Sequence, residues 1–504
     1  MGPNDKPLEK IKKPAMRASR KFTILHSNDM HGDFLAEVQG AEGNLIGGLS
    51  LLSGYLSKVR GEEKNVLYLI AGDMVQGSMI DSEYKGISTM EIMNYLAPDV
   101  VTLGNHEMDY GLPHLLFLEK MANFPIVNAN LYLKKYHRRL MRPYLTLDID
   151  GFKIMFIGII TEEVLKSLRM DSDIATFVGL EDAVAEVGKI CSAYKDEDID
   201  LTILLTHIGF EEDKKLAAML DPAWGVDRII GGHSHTILEQ PAEVNGVLIT
   251  QAGTGTDQIG RFDITVDDDT NAIIAWKWQL VPVNDAMAEP DADLQKFIDS
   301  FKEVVDRKYN RVVCRLAQKL THPKREQETA LGNMFADIAA QHSHADVAFI
   351  GSGSLRATEM GPIVTLGDLK RIYPYDDTLY RATVTGAQLI ETFTHLMRPE
   401  NRIPGESSFI QVSKGVRAVY DDTAHKLASL TINEQPVQES AHYTICLQEY
   451  DAKSPHRLNL PEEALNAISK MAVVTTSPQA MCDEYLSARQ NLHSTINGLL
   501  TFTS

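Results

Sequence analysis

From Phe22 to about Val283 the chain repeats one short grammar: an aliphatic or β-branched run, a polar turn bearing glycine, then a helical stretch. That alternation restricts the fold to the α/β class, because strands interleaved with helices build sheets covered by those helices. The runs predict strands at Phe22–His26, Val66–Ile70, Val100–Leu103, Ile126–Asn128, Lys153–Ile160, Leu201–Leu205, Arg228–Ile230 and Val247–Gln251. Most are nearly continuous apolar runs, so burial on both faces is expected. Between Pro282 and Asn310 the pattern changes. Leu294, Phe297, Ile298, Phe301, Val304 and Val305 recur at helical spacing behind the Asp-rich segment Glu289 to Asp293. Periodicity leaves two readings of this stretch open, a linking helix or a surface helix of the first domain. A second unit follows, opening with a helix from about Glu328 to Gln341 and a strand at Asp346–Ile350, and no internal repeat is visible.

A chain of 504 residues exceeds one ordinary hydrophobic core and sets an expectation of roughly two to four domains. Its 49 basic against 69 acidic side chains give a net charge of −20, a field that repels phosphate backbones and anionic lipid. No nucleic acid and no membrane partner is therefore expected. Excess carboxylates serve either as surface solubiliser or as metal ligands, and composition does not separate the two. Cys191, Cys314, Cys446 and Cys482 lie far apart with no CxxC pair, which reads as reduced, structural thiols. The first 21 residues are basic without a following apolar stretch, and the longest apolar runs, such as Ile154–Ile160, are only strand-length. The expectation is a soluble, cytoplasmic chain.

The chemistry is concentrated in the turns that follow the predicted strands. Asp29-Met30-His31-Gly32 follows the first, Gly72-Asp73 the second, and Gly104-Asn105-His106-Glu107, with Asp109 close behind, the third. Thr206-His207 and Gly231-Gly232-His233-Ser234-His235 follow two later strands. In an α/β sheet the carboxyl ends of strands converge on the edge where ligands bind. Carboxylates mixed with imidazoles and one amide suit Mn, Zn, Fe or Co better than calcium. The donors exceed what one tetrahedral ion needs, which implies either outer partners or a pair of ions bridged by a shared carboxylate.

In this order (D-x-H, G-D, G-N-H-E, H, G-H-x-H) the residues resemble the calcineurin-like metallophosphoesterases. The second unit, with Glu328 to Asn333 and Val384-Thr385-Gly386-Ala387, resembles the carboxyl-terminal domain of the 5′-nucleotidase branch. The resemblance implies a four-layer β-sandwich flanked by helices at 22–287, a linking helix at 288–310 and a substrate-binding α/β domain at 311–504, after a basic extension at 1–21. It implies two divalent metal ions (Mn, Zn, Co or Mg), one held by Asp29, His31, Asp73 and His235, the other by Asp73, Asn105, His207 and His233. His106, paired with Asp109, is then the group that stabilises the transition state or protonates the leaving oxygen.

In the same family the second domain grips the nucleoside. The loop Gly351-Ser352-Gly353-Ser354-Leu355-Arg356 keeps the family's arginine but not its leading asparagine, and its glycines fit an anion cradle or a tight turn equally well. Tyr375 and Tyr450 stand at the two aromatic positions, where they either sandwich a base or sit as half-buried core rings. Ser454-Pro455-His456-Arg457 replaces the Gly-Gly-Asp-Gly element and its ribose-holding carboxylate. His342 and His344 are expected to be solvent-exposed. The resemblance thus implies hydrolysis of a phosphomonoester, foremost a nucleoside 5′-monophosphate, with release of phosphate. The rivals are a cyclic nucleotide, a nucleotide-sugar pyrophosphate bond, a sugar phosphate, and a ligand-binding protein whose metal site is a relic.

Overall fold

In the first unit, β1 (Ser19–Ser27), β2 (Val66–Ala71), β3 (Val100–Thr102) and β4 (Ile126–Val127) run parallel, each beside the next. A second parallel set is formed by β6 (Phe152–Ile160), β7 (Leu201–His207), β8 (Arg228–Ile230) and β10 (Val247–Thr250), edged by antiparallel β5 (Tyr144–Ile149) and β9 (Ala242–Val244). The computed structural model describes residues 18–503 apart from 41–42, 134–135, 137, 162–174, 178, 271, 404–408 and 461–470. Most of the basic extension expected at 1–21 lies outside the described residues. By internal contacts the chain divides into 1–305 and 306–504.

The two sheets share one core. Phe22, Ile24 and Leu69 of the first meet Phe152, Ile154, Phe156 and Ile203 of the second in a single buried cluster. Alternate residues of β6, Met155, Ile157 and Ile159, point the other way and pack with Val184, Val187 and Ile190 of helix α1 (Leu180–Ala193). Strands apolar on both faces are thus sheet inside and helix-covered outside, as their continuous apolar runs require. Two strands escape that pattern. β11 (Gln258–Asp267) pairs antiparallel with β1, and β12 (Ile273–Pro282) pairs antiparallel with β11 at the sheet edge. β12 carries exposed Ile274 and Trp276 beside Lys277, so it lacks the unbroken apolar run that marked the others.

His26 in β1 is fully buried, and neither ring nitrogen has a hydrogen-bond partner among the described residues. Its ring stacks on Trp278 with centroids 5.3 Å apart. Burial pushes the imidazole down to about 3, so it packs as a neutral ring.

The Asp-rich segment proves to be a helix start. Asp291 Oδ1 accepts the backbone N–H groups of Asp293 and Leu294 at 3.1 and 3.0 Å, capping α2 (Ala292–Tyr309). Leu294 and Ile298 are buried, and the division between the units falls inside this helix, after Val305.

In the second unit, α3 (Ala330–Ser343) begins where the Thr329 hydroxyl accepts from Gly332 N–H at 3.0 Å and ends at His344, whose φ is 50°. The sequence placed this helix two residues early because the capping threonine is not itself helical. His342 and His344 are exposed. β13 (Val347–Gly351), β14 (Leu379–Thr385), β15 (Ile410–Val412), β16 (His442–Gln448) and β17 (Ala472–Thr475) form a sheet in the order β15-β13-β16-β14-β17. β13 and β16 are parallel neighbours. Cys191, Cys314, Cys446 and Cys482 are all free and buried. No helix among the described residues is long and apolar enough to cross a membrane.

Candidate functional site

The strand-end turns of the first unit come together from both sheets. The sequence placed them on one sheet edge; Asp29, Asp73 and Asn105 follow β1, β2 and β3, whereas His207 ends β7 and His233 follows β8 of the other sheet. The donors meet because the two sheets face each other with their strand ends aligned. Ligand atoms of Asp29, His31 and His235 lie within 4.8 Å of one another, as do those of Asp73, His207 and His233, and those of His31, Asp73 and His106. Asn105 Oδ1 lies 2.8 Å from His233 Nδ1, which places the amide beside the second group.

Aiming these side chains inward costs backbone strain. Asp29, His31, Asp73, His233 and His235 have φ of 52°, 51°, 52°, 81° and 53°, in the left-handed region, at about 1–3 kcal/mol each. The loops brace one another. Asp29 N–H donates to Gly72 O, His31 N–H to Asp73 O, and His233 N–H to both Asp29 carboxylate oxygens. At Gly104 a Cβ would stand 2.1 Å from Asp73 Oδ1, and at Gly232 it would stand 2.5 Å from Ala71 O. Only glycine lets these backbones approach so closely.

Glu107 is the residue whose role the sequence did not reveal. Its buried carboxylate accepts the N–H groups of Asp73, Met74 and Gly104 at 3.0, 2.7 and 2.6 Å, tying the loop after β2 to the loop after β3. Burial, with Asp73 nearby, raises it to about 7. Asp213 does the same under His207: it accepts from the Thr206 hydroxyl at 2.6 Å and from Gln251. The adjacency of Glu107 to Asn105-His106 was the available signal; Asp213 had none.

The donors fit a pair of cations. His207 Nδ1 donates to Ala71 O at 2.8 Å, so in the neutral ring Nε2 carries a lone pair. That nitrogen is buried, makes no aligned hydrogen bond, and stands 3.0 Å from Asp73 Oδ2. His31 repeats the arrangement: Nδ1 lies 3.0 Å from Gln76 O, while Nε2 faces His235 Nε2 at 3.1 Å. Lone pairs turned on one another need a proton or a cation between them. With protons alone, burial opposes the charge on His207 but Asp73 and Asp29 raise it to about 9. Asp73 Oδ2 lies 3.0 Å from His207 Nε2 and 4.0 Å from His31 Nε2, the position a shared ligand would take.

His106 stands apart from these pairs. Its backbone N–H donates to Asp73 Oδ1 at 2.9 Å, and its Nδ1 meets Asp109 Oδ2 at 2.7 Å. Burial lowers the imidazolium's stability, but Asp109 and Asp73 outweigh it and raise the ring to about 8. Asp109 ends a single turn of 3-10 helix (His106–Met108), so its carboxylate orients a histidine rather than starting a helix.

In the second unit Gly351, Gly353, Arg356, Tyr375 and Tyr450 all line one cavity of about 330 Å³ at the ends of β13 and β16. Gln448 Oε1 accepts Gly351 N–H at 2.8 Å, fixing the glycine turn. The tyrosines are surface groups, 40% and 59% exposed, and not core rings. Each is covered on one face by a cation: the Arg356 guanidinium lies 5.5 Å from the Tyr375 ring, and that of Arg457 lies 4.8 Å from the Tyr450 ring. The sequence noted Arg457 only as part of a lost carboxylate element; the structure makes it part of the cavity wall.

Comparison with known proteins agrees with both halves. Residues 22–236 match the calcineurin-like phosphoesterase family model, and residues 312–458 match that of the 5′-nucleotidase C-terminal domain. Endonuclease YhcR of Bacillus subtilis is 27% identical over 85% of this chain, which spans only 37% of that protein's length. The 5′-nucleotidase of Mus musculus is 27% identical over 80% of this chain and 75% of its own. The crystal structure of a 5′-nucleotidase precursor from Thermus thermophilus superposes with a TM-score of 0.64 at 22% identity, covering 96% of this chain and 99% of that one.

Proposed function

We propose that this chain, which belongs to the calcineurin-like phosphoesterases carrying a 5′-nucleotidase C-terminal domain, hydrolyses a phosphomonoester, foremost a nucleoside 5′-monophosphate, to release inorganic phosphate. The observation that carries the reading is the facing of lone pairs around Asp73, His207, His31 and His235, those of Asp73 and His207 buried. Two divalent cations there would lower the pKa of a bound water and neutralise charge on the phosphoryl oxygens. Asp29, His31, Asp73 and His235 would hold one, and Asp73, Asn105, His207 and His233 the other.

The remaining steps belong to the chain's own groups. Asp109 holds His106 Nδ1, leaving Nε2 to donate to a phosphoryl or leaving oxygen. The strained, mutually hydrogen-bonded loops keep every ligand fixed before substrate arrives, so little reorganisation is paid during reaction. In the second unit the free faces of Tyr375 and Tyr450 supply stacking surface for a planar base. Relatives named as 5′-nucleotidases support this assignment.

The test is phosphate release by chelator-treated protein across nucleoside monophosphates, cyclic nucleotides, nucleotide sugars and sugar phosphates, with Mn, Zn, Co or Mg restored singly. Nucleoside monophosphates are expected to turn over fastest and only with metal. Metal-independent release, or release from none of the panel, would overturn the reading.

A further inference from the structure

Arg457 is held on one edge and one face. Its Nε donates to Asp451 Oδ1 at 3.0 Å, and its guanidinium stacks on Tyr450. Asp451 is buried, so burial raises its pKa while Arg457 draws it back, and the carboxylate acts as an anchor for the arginine. The two Nη groups of Arg457 make no hydrogen bond among the described residues, and neither does the guanidinium of Arg356. Both line the same cavity. Arg356 is also the wall of a neighbouring cavity of about 330 Å³ that carries Lys324 and Arg325. The first cavity pairs Arg356 and Arg457 with Asp377 and Asp451, and the second sets Lys324, Arg325 and the shared Arg356 against Glu326.

Guanidinium offers donors only, so it selects acceptors, and an Nη pair left open by an Nε anchor is the fork that takes an oxyanion through two bonds. A simple phosphomonoester has one dianionic group, which the proposed hydrolysis commits to the metals of the first unit. The donors that Arg457 and Arg356 leave open in the ligand cavity are explained by a second anion on the ligand. Resting on the phosphohydrolase reading, we infer that Arg457, together with Arg356, selects phosphoesters carrying a second anionic group away from the scissile phosphate, as a nucleoside 3′,5′-bisphosphate does. Tyr450 and Asp451 position the guanidinium, and the open faces of both tyrosines remain for the base.

Two measurements on the full chain test this. In steady-state phosphate release, kcat/KM for adenosine 3′,5′-bisphosphate is expected to exceed that for adenosine 5′-monophosphate at least tenfold, and R457Q is expected to erase the ratio while R457K keeps part of it. In metal-free protein, calorimetric titration should show adenosine 3′-monophosphate binding at least tenfold tighter than adenosine, a difference absent in R457Q. If R457Q folds poorly because Asp451 is left buried without a partner, D451N/R457Q removes both charges and serves instead. Equal affinity for the two ligands, or a preference unchanged in the variants, would overturn the inference. Absence of phosphate release from any substrate, an activated aryl phosphate included, would sink the hydrolytic reading alone, since the titration decides the role of Arg457 independently.

Discussion

The two units organise charge by opposite means. In the first, Asp29, Asp73 and His207 are buried, the two carboxylates are carried on left-handed backbone, and Glu107 and bonds between loops lace the turns together. In the second, the charged groups are guanidiniums resting on exposed tyrosines, with one buried anchor in Asp451. A reacting centre must hold its geometry before substrate binds, and strain plus burial achieves that. A recognition pocket needs stacking surface and open donors, which exposed rings and forked cations provide at lower cost. Substitutions should therefore have steep effects in the first unit and shallow ones in the second.

The steepest is Asp73→Ala. It removes the carboxylate nearest both His207 and His31. Turnover is expected to fall about 10³-fold or more, because charge neutralisation by bound metal is worth several kcal/mol. Metal analysis by mass spectrometry should show loss of bound ion as well; full metal content with retained turnover would remove Asp73 from the shared position. Next comes His106→Ala. Its expected cost is about 10²–10⁴ in kcat for an ester with a poor leaving group, and less for an activated aryl phosphate whose leaving oxygen needs no proton. A loss of only a few-fold with both esters would show that the ring does not contribute to the chemical step.

This contrast explains what could be read from sequence. The clustered strand-end turns were legible because each candidate donor is local to a strand end, and a strand end is announced by an apolar run and a glycine. Which sheet each strand joins was not legible, since pairing is non-local; the turns of β7 and β8 reach the site from a second sheet. β11 and β12 were missed because neither is a continuous apolar run: β11 alternates apolar and polar residues, and β12 is broken by Lys277 and Gln279. Glu107 and Asp213 bind backbone and side-chain donors from other segments, contacts with no sequence period. Arg457 looked like a loss because the expected residue was absent; only the fold shows what it stacks upon.

A third prediction concerns the scaffold under the strand-end turns. His26 lies in β1, the strand that delivers Asp29, and all three tryptophans of the chain, Trp224, Trp276 and Trp278, fall in the first unit. Its folded pKa of about 3 is below the unfolded value of 6.5. The unfolded chain therefore binds the extra proton, and stability is lost as pH falls below about 6.5. Between pH 7 and pH 5 the loss is about 2 kcal/mol. Urea unfolding followed by tryptophan fluorescence should show this for the native chain and not for His26→Leu. An equal acid loss in the variant would place the sensitivity elsewhere.

The mildest effect is expected at Tyr450. The ring is 59% exposed, so Tyr450→Leu opens no core cavity and the fold should be unaffected. What it removes is one stacking face and the platform beneath Arg457. Base–aromatic stacking is worth about 1–3 kcal/mol, and the exposure places this ring at the low end, near a tenfold rise in KM for a nucleotide. Because the proposed metal ligands all lie in the first unit, kcat for a small aryl phosphate should not change. A fall in kcat for that substrate would mean that recognition and reaction are not divided between two kinds of site.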